Sequence, residues 1–254
     1  MKRRLTDANA ITWAVLALLF VGLVVPRAWH WWQHRDPWVD PIAHYILHTG
    51  LPETIRIAVF SVAGSTAIGI VLGTLLTIRV LPLRALIRTY IEVWRGLPIV
   101  VTIFLIYFAL PSATNLRLSA FTAAAIGLTL WGSAQVAEAT RGAVQSIPRE
   151  QHEAASALGF GWVARHRFVI LPQALRRLLP PMVSLLVNVV QNTTIAALIG
   201  VGEVLETGNR STERLLFSTG DSRAFAIFGF VMIMFFVISF PLTRLAGYLE
   251  RRLV

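Results

Sequence analysis

Residues 153–181 read EAASALGFGWVARHRFVILPQALRRLLPP. The stretch carries Arg165, Arg167, Arg176 and Arg177, together with Glu153 and His166. It interrupts a chain that is otherwise largely apolar: 56% hydrophobic, 14% charged, with a mean hydropathy of +0.65. Soluble domains are closer to a quarter charged. The apolar residues on either side fall in runs of about 20, long enough to cross about 30 Å of hydrocarbon as helices. The short alternating segments of a membrane barrel are absent. The sequence therefore predicts an all-α integral membrane protein that holds a hydrophilic insert out in water.

About six spans stand out, near residues 11–26, 53–77, 89–110, 121–140, 178–199 and 225–245. With the N-terminus inside, 15 of the 23 Lys and Arg residues fall in the inside segments, counting Arg244 at the end of the last span. Six fall in the outside segments 27–52, 111–120 and 200–224. Basic residues accumulate on the cytoplasmic side of membrane proteins, so the bias predicts an N-in, C-in chain with the insert in the cytoplasm. The same rule reads the net charge of +10 as basic loops rather than a nucleic-acid surface. The first apolar run has no clean small-x-small cleavage site after it and is read as a retained span. Trp29, Trp31, Trp32 and Trp38 follow it, as an aromatic belt at the outer headgroups would.

Several enzyme chemistries are excluded. With no cysteine, disulfides and thiolate chemistry drop out. The pairs His30/His34 and His44/His48 have helical spacing, but no third ligand accompanies them, so no metal centre is expected. No constellation of nucleophile and base appears, and the chain is not read as an enzyme.

Polar groups at membrane depth are costly and usually face a cavity or another helix. Glu92 and Arg95 precede Gly96 and Pro98, which predicts an irregular start to the third span. Gln135 and Glu138 lie in the fourth span, and Asn188, Gln191, Asn192, Thr193 and Thr194 in the fifth. Interhelical hydrogen bonding and a polar substrate path both account for them. Gln191 and Asn192 splay by about 100° on a helix, so only part of that cluster can face one cavity. Gly69 and Gly73, with Gly64, mark a face of the second span that packs closely on protein.

Within the insert, residues 151–158 have the pattern of a short helix. Pro148, Glu150 and Glu153 favour its start and Gly159 its end. Ala154, Ala155 and Ala157 would present a small, flat surface suited to another protein's groove.

These residues resemble a family. Glu153-Ala154-Ala155, three residues, Gly159, nine residues, then Val169-Ile170-Leu171-Pro172 is similar to the EAA-loop signature of ATP-binding-cassette (ABC) importer membrane subunits. WRGLPIVVTIFLIYFALP (94–111), SAQVAEATRGAVQSIPREQHEAASALG (133–159), LPQALRRLLPP (171–181) and TTIAALIGVGEV (193–204) look like the polar amino acid permease branch. The likeness covers roughly residues 50–250. It implies a five-helix type I importer core at 51–254, with a cytoplasmic coupling loop near 141–177. An added N-terminal helix and a Trp-rich outer loop would occupy 1–50.

The resemblance further implies a bacterial inner-membrane, multi-pass permease subunit for an amino acid. It would pair with a second permease chain, identical or related. Two cytoplasmic ATPase subunits would dock on Glu153, Ala154, Ala155 and Gly159, and an extracytoplasmic binding protein would deliver the substrate. ATP and Mg would belong to the ATPase; this chain would bind no cofactor, and it has no GxxxxGK[ST] phosphate loop. Arg95, Gln135, Glu138, Gln191, Asn192 and Thr193 are the candidate path residues. The branch often has Lys-Asp-Thr-Ser where this chain has Gln191-Asn192-Thr193-Thr194, Tyr where it has Gln135, and Gly where it has Glu150. The first two differences leave the substrate open, a different small zwitterion or an opine included. The rival reading, an ion-coupled secondary transporter, predicts inverted repeats, and none is found.

Overall fold

A computed structural model describes residues 39–78 and 80–253. The span expected at 11–26 and the Trp-rich stretch after it lie outside the described residues. The chain divides into two units, Met1–His44 and Tyr45–Val254. A short helix, α1 (Val39–Tyr45), covers the described part of the first and runs to the start of the second.

The second unit is built from α2 (Leu51–Leu75), α3 (Leu81–Gly96), α4 (Ile99–Thr114), α5 (Ala120–Gln145), α6 (Arg149–Ala157), α7 (Trp162–Ile199), α8 (Val204–Thr219) and α9 (Ala224–Leu253). No strand occurs among the described residues. Helices α2, α5, α7 and α9 are long and apolar enough to cross a membrane, and α3 with α4 makes a fifth span if the bent pair is one. At 25 residues, α2 is about 37 Å long, more than the hydrocarbon thickness.

Leu-Pro steps set the local shape. At Leu51-Pro52, Leu110-Pro111 and Leu171-Pro172 the leucine N–H donates to the carbonyl five residues back, on Ile46, Leu105 and His166 respectively. The proline ring crowds the carbonyl four residues before it, and a single wide turn relieves the clash. At Leu97-Pro98 the break is complete. Leu97 is extended (φ −81°, ψ 136°), as a residue before proline prefers, and α3 and α4 meet at 105°. The span expected as one segment at 89–110 is therefore two arms, with Glu92 and Arg95 on the first.

The core of the bundle is the α2–α5 contact. Ser61 and Ser65 of α2 are fully buried, and their hydroxyls donate to the α5 carbonyls of Ala125 and Thr129, each at 3.4 Å. Gly64, Gly69 and Gly73 continue the same face and meet Thr129, Val136 and Ala137. Small residues let the backbones approach, so dispersion and hydrogen bonds replace the hydrophobic drive that lipid does not supply. At one end, Ile57, Ile103, Ala123, Ala124, Leu128 and Ala196 close a fully buried cluster. Large apolar side chains such as Phe60, Phe108 and Phe236 are exposed, which suits lipid or a partner helix rather than water.

Candidate functional site

Helix α6 stands on the loop between α5 and α7. Pro148 precedes it and Glu150 lies in its first turn. It closes as a Schellman cap: Phe160 N–H donates to Ala155 O at 3.1 Å and Gly159 N–H to Ser156 O at 3.0 Å. Gly159 has φ +79°, which a side chain would strain. The helix, expected at 151–158, starts two residues earlier. Glu153, Ala154, Ala157 and Leu158 are exposed. Ala155, expected on that outer face, is instead buried (2% exposed). It lies three residues after His152, so both turn inward, and the His152 ring comes within 6.4 Å of His166. Burial first, and then the Arg165 guanidinium, hold His152 below the usual histidine range.

The loop is fastened to the bundle at several points. Gln173 donates to Gln151 at 3.1 Å and Arg165 to the Ser156 hydroxyl at 2.7 Å. Arg177 donates to the Ser146 carbonyl at the end of α5 and to its hydroxyl at 3.1 Å. His166 and Thr77, at the end of α2, are 3.1 Å apart. On the outer face, Glu153 accepts from Arg149 at 2.9 Å, with both side chains mostly in solvent. Such a pair contributes roughly 0.3–0.5 kcal/mol.

A cleft of about 700 Å³ opens among α3, α5, α7 and α9. Arg95, Gln135, Glu138, Ser184, Thr243 and Glu250 supply its polar lining, and Pro180 and Pro181 part of its apolar wall. Arg95 Nε donates to Gln135 Oε1 at 3.2 Å, joining the broken third span to α5. Glu138 takes a two-pronged contact from Arg141, with Nε to Oε2 at 3.0 Å. Three of the six path residues expected from sequence thus meet on one wall. Gln191, Asn192 and Thr193 do not line this cleft. Gln191 lies seven residues past Ser184, about 10 Å along α7 and just before the helix tightens into a 3₁₀ segment at Thr193. Thr193 is fully buried and its hydroxyl donates to Val190 O at 2.7 Å. Among the described residues no group of three His, Asp or Glu side chains could hold a metal.

Sequence reasoning missed Glu203, which falls in the segment 200–224 expected outside. It is fully buried and caps α8: Oε1 accepts from Glu206 N–H at 2.8 Å, while Oε2 has no hydrogen-bond partner among the described residues. Thr54 of α2 holds the same corner, its hydroxyl donating to Gly50 O at 3.1 Å and accepting from Val204 N–H at 3.0 Å. The available signal was the acid after Gly202 and three residues before Glu206, an N-cap spacing. Burial outweighs the N–H donors and pushes the carboxyl up to about 7. An unfolded glutamate titrates near 4.5. The folded chain therefore binds the extra proton between those values, and stability should fall as pH rises from about 4.5 through 7. Glu203→Gln is expected to flatten that decline. Thermal melts of both proteins in detergent at pH 5 and 8 check it: equal pH slopes would remove Glu203 as the source.

Helix α6, its capped glycine and the Leu-Pro turn behind it lie within one match to a known family. Residues 65–254 match the family model described as binding-protein-dependent transport system inner membrane component. The chain belongs to that family. It is a multi-pass inner-membrane permease of an ABC transporter. Among relatives of this permease is the Glutamine transport system permease protein GlnP of Escherichia coli (strain K12), 37% identical over 209 residues. That match covers 82% of this chain and 93% of the relative. The Probable glutamine ABC transporter permease protein GlnM of Bacillus subtilis (strain 168) is 32% identical, covering 80% and 91%. A solved amino acid ABC transporter with histidines superposes with a TM-score of 0.73 at 26% identity, covering 86% of this chain and 99% of that one.

Proposed function

We propose that this permease imports a glutamine-type amino acid, driven by ATP hydrolysis on two separate cytoplasmic subunits. The exposed, capped helix α6 carries the reading: a nine-residue helix held on a fastened loop can take a push and pass it to the spans. The relatives named as glutamine permeases support the substrate class. In this reading both termini lie inside, an extracytoplasmic binding protein delivers the substrate, and a second permease chain completes the path. Nucleotide and Mg stay with the ATPase. Closure of the ATPase pair presses on the loops and reopens the path outward.

The cleft supplies a recognition chemistry. The Arg95 guanidinium offers a planar fork that matches an α-carboxylate, and Glu250 a charge for an α-ammonium. Gln135 adds neutral amide groups suited to an amide side chain. Gln191 and Asn192 would act at a different level of the path.

The test uses the complex purified with its own ATPase and reconstituted in proteoliposomes with the loaded binding protein. ATP-dependent uptake of labelled L-glutamine is expected. Arg95→Ala should lower it at least tenfold with the complex still assembled. Uptake of a different zwitterion but not glutamine would correct the substrate. Co-purification without any ATPase, or full activity in Arg95→Ala, would overturn the class or the cleft assignment respectively.

A further inference from the structure

The loop can do mechanical work only if its motion reaches the spans that line the cleft. α5 and α7 continue directly from its two ends and supply polar walls of the cleft. α2 is not joined to the loop by the chain, yet α5 packs tightly on it, so α5 can swing only if α2 moves too. A side-chain hydrogen bond reaches the end of α2 from this region, His166 to Thr77.

His166 is built as a fixed part. It begins the wide turn forced by Pro172, and it is 6% exposed. Its ring stacks on Trp162, with centroids 4.1 Å apart and planes inclined by 29°. Nδ1 lies 2.9 Å from Trp162 O and, facing a carbonyl, must donate its proton there. In the neutral ring Nε2 is then an acceptor, aimed at the Thr77 hydroxyl 3.1 Å away. Thr77 follows the last residue of α2 by two positions and is itself held, its N–H donating to Thr74 O at 3.0 Å. Its hydroxyl lies 2.7 Å from the same carbonyl, so its hydrogen is shared between Thr74 O and the imidazole. Ring stack, backbone bond and hydroxyl leave the imidazole no free rotation.

The far side of the joint is equally stiff. Along α2, Gly73 sits against Ala137 and Thr140 of α5, Gly69 against Val136, and Ser65 against Gly132. A displacement delivered at Thr77 cannot be absorbed by sliding over so close a contact, so α2 and α5 move together. Gln135 and Glu138 ride on α5, between those contacts.

We infer that the His166–Thr77 hydrogen bond is the strut by which the coupling loop moves α2 in step with the α5 wall of the cleft. His166 and Thr77 are positioning residues: neither touches nucleotide or substrate. The inference rests on the coupling role proposed for α6.

The readout is glutamine transported per ATP hydrolysed in the reconstituted complex, which a merely structural role would not move. Thr77→Val keeps the shape and removes the hydroxyl; Thr77→Ser restores it. Expected are at least a fivefold lower ratio in Thr77→Val, with ATP hydrolysis continuing, and a ratio within twofold of wild type in Thr77→Ser. A wild-type ratio in Thr77→Val, or equal loss in both variants, overturns the strut. Should Thr77→Val fail to assemble, His166→Phe keeps a ring for the Trp162 stack without the bond, and His166→Gln keeps a polar group. Expected there is loss in the first and retention in the second; a fully coupled His166→Phe overturns the inference. Failure of the coupling reading is distinct: the wild-type complex would then show no ATP-dependent uptake at all.

Discussion

Gly73→Leu is expected to leave less than a tenth of the wild-type assembled protein. A Cβ built at Gly73 would lie 2.4 Å from the Ala137 carbonyl oxygen and 2.5 Å from Thr140 Cβ. The first is backbone in the middle of α5, so no rotamer change removes the clash. The helices cannot hinge apart locally either, because a Cβ at Gly69 would meet Val136 Cβ at 2.4 Å and the Ser133 carbonyl at 2.8 Å. Adding methylenes to a well-packed core costs about 1–3 kcal/mol. Here the whole α2–α5 seam would have to open, and the buried Ser61 and Ser65 hydroxyls would lose their carbonyl partners. Each orphaned donor adds about 1–3 kcal/mol. Gly142→Ala is the control. That glycine is in α5, but an added Cβ meets nothing within 4 Å among the described residues, and alanine is the better helix former by about 1 kcal/mol. Size-exclusion profiles of tagged protein in mild detergent separate the two. Equal, wild-type-sized peaks for both variants would mean that the close approach is not what holds the bundle.

That seam was legible in the sequence because its signal is local and periodic: small residues at four-residue spacing need only a partner surface. The EAA loop was legible for a similar reason, since caps, acids and a terminal glycine act within one turn. The same local rules found the disturbance at Gly96-Leu97-Pro98. They could not give its 105° bend, because the direction of α4 depends on Ile103 fitting against Gly127 of α5. Arg95, Gln135 and Glu138 were identified one by one as polar groups at membrane depth. Their meeting is a long-range fact: 40 residues separate Arg95 from the amide it bonds. Gln191, Asn192 and Thr193 obeyed the same rule but sit too far along α7 to reach the cleft. Glu203 shows the converse error. An acid in a segment short of 18 apolar residues reads as solvated, and nothing local reveals that Thr54, 149 residues earlier, closes over its corner. Ala155 was misplaced by phase alone, since the inward face of α6 is chosen by where His166 lies.

Glu153→Lys is expected to lower ATP-driven transport tenfold or more while the protein remains assembled and stable. The magnitudes decide between two explanations of such a loss. The carboxylate is exposed, and the described ion pair with Arg149 is worth only roughly 0.3–0.5 kcal/mol, so breaking it cannot unfold α6. A tenfold loss corresponds to about 1.4 kcal/mol and must come from contacts the isolated chain does not make. In the proposed reading, docking of the ATPase on α6 would supply them, and the charge reversal would disturb that contact. Arg149→Ala separates the alternatives, since it breaks the same ion pair but leaves Glu153 in place. If the pair itself mattered, both variants would fail alike; if docking matters, Arg149→Ala keeps most of the activity. Gly159→Trp approaches from the other side. With φ +79°, a side chain there strains the backbone by about 1–2 kcal/mol and adds bulk on the proposed docking face, and among the described residues nothing lies within 4 Å of its Cβ. It too should uncouple without loss of the bundle. Uptake in proteoliposomes, beside ATPase pull-down with each variant, measures the effect. Normal transport in both Glu153→Lys and Gly159→Trp would take the ATPase off α6, and the Schellman-capped helix would then be only a tidy end to a loop.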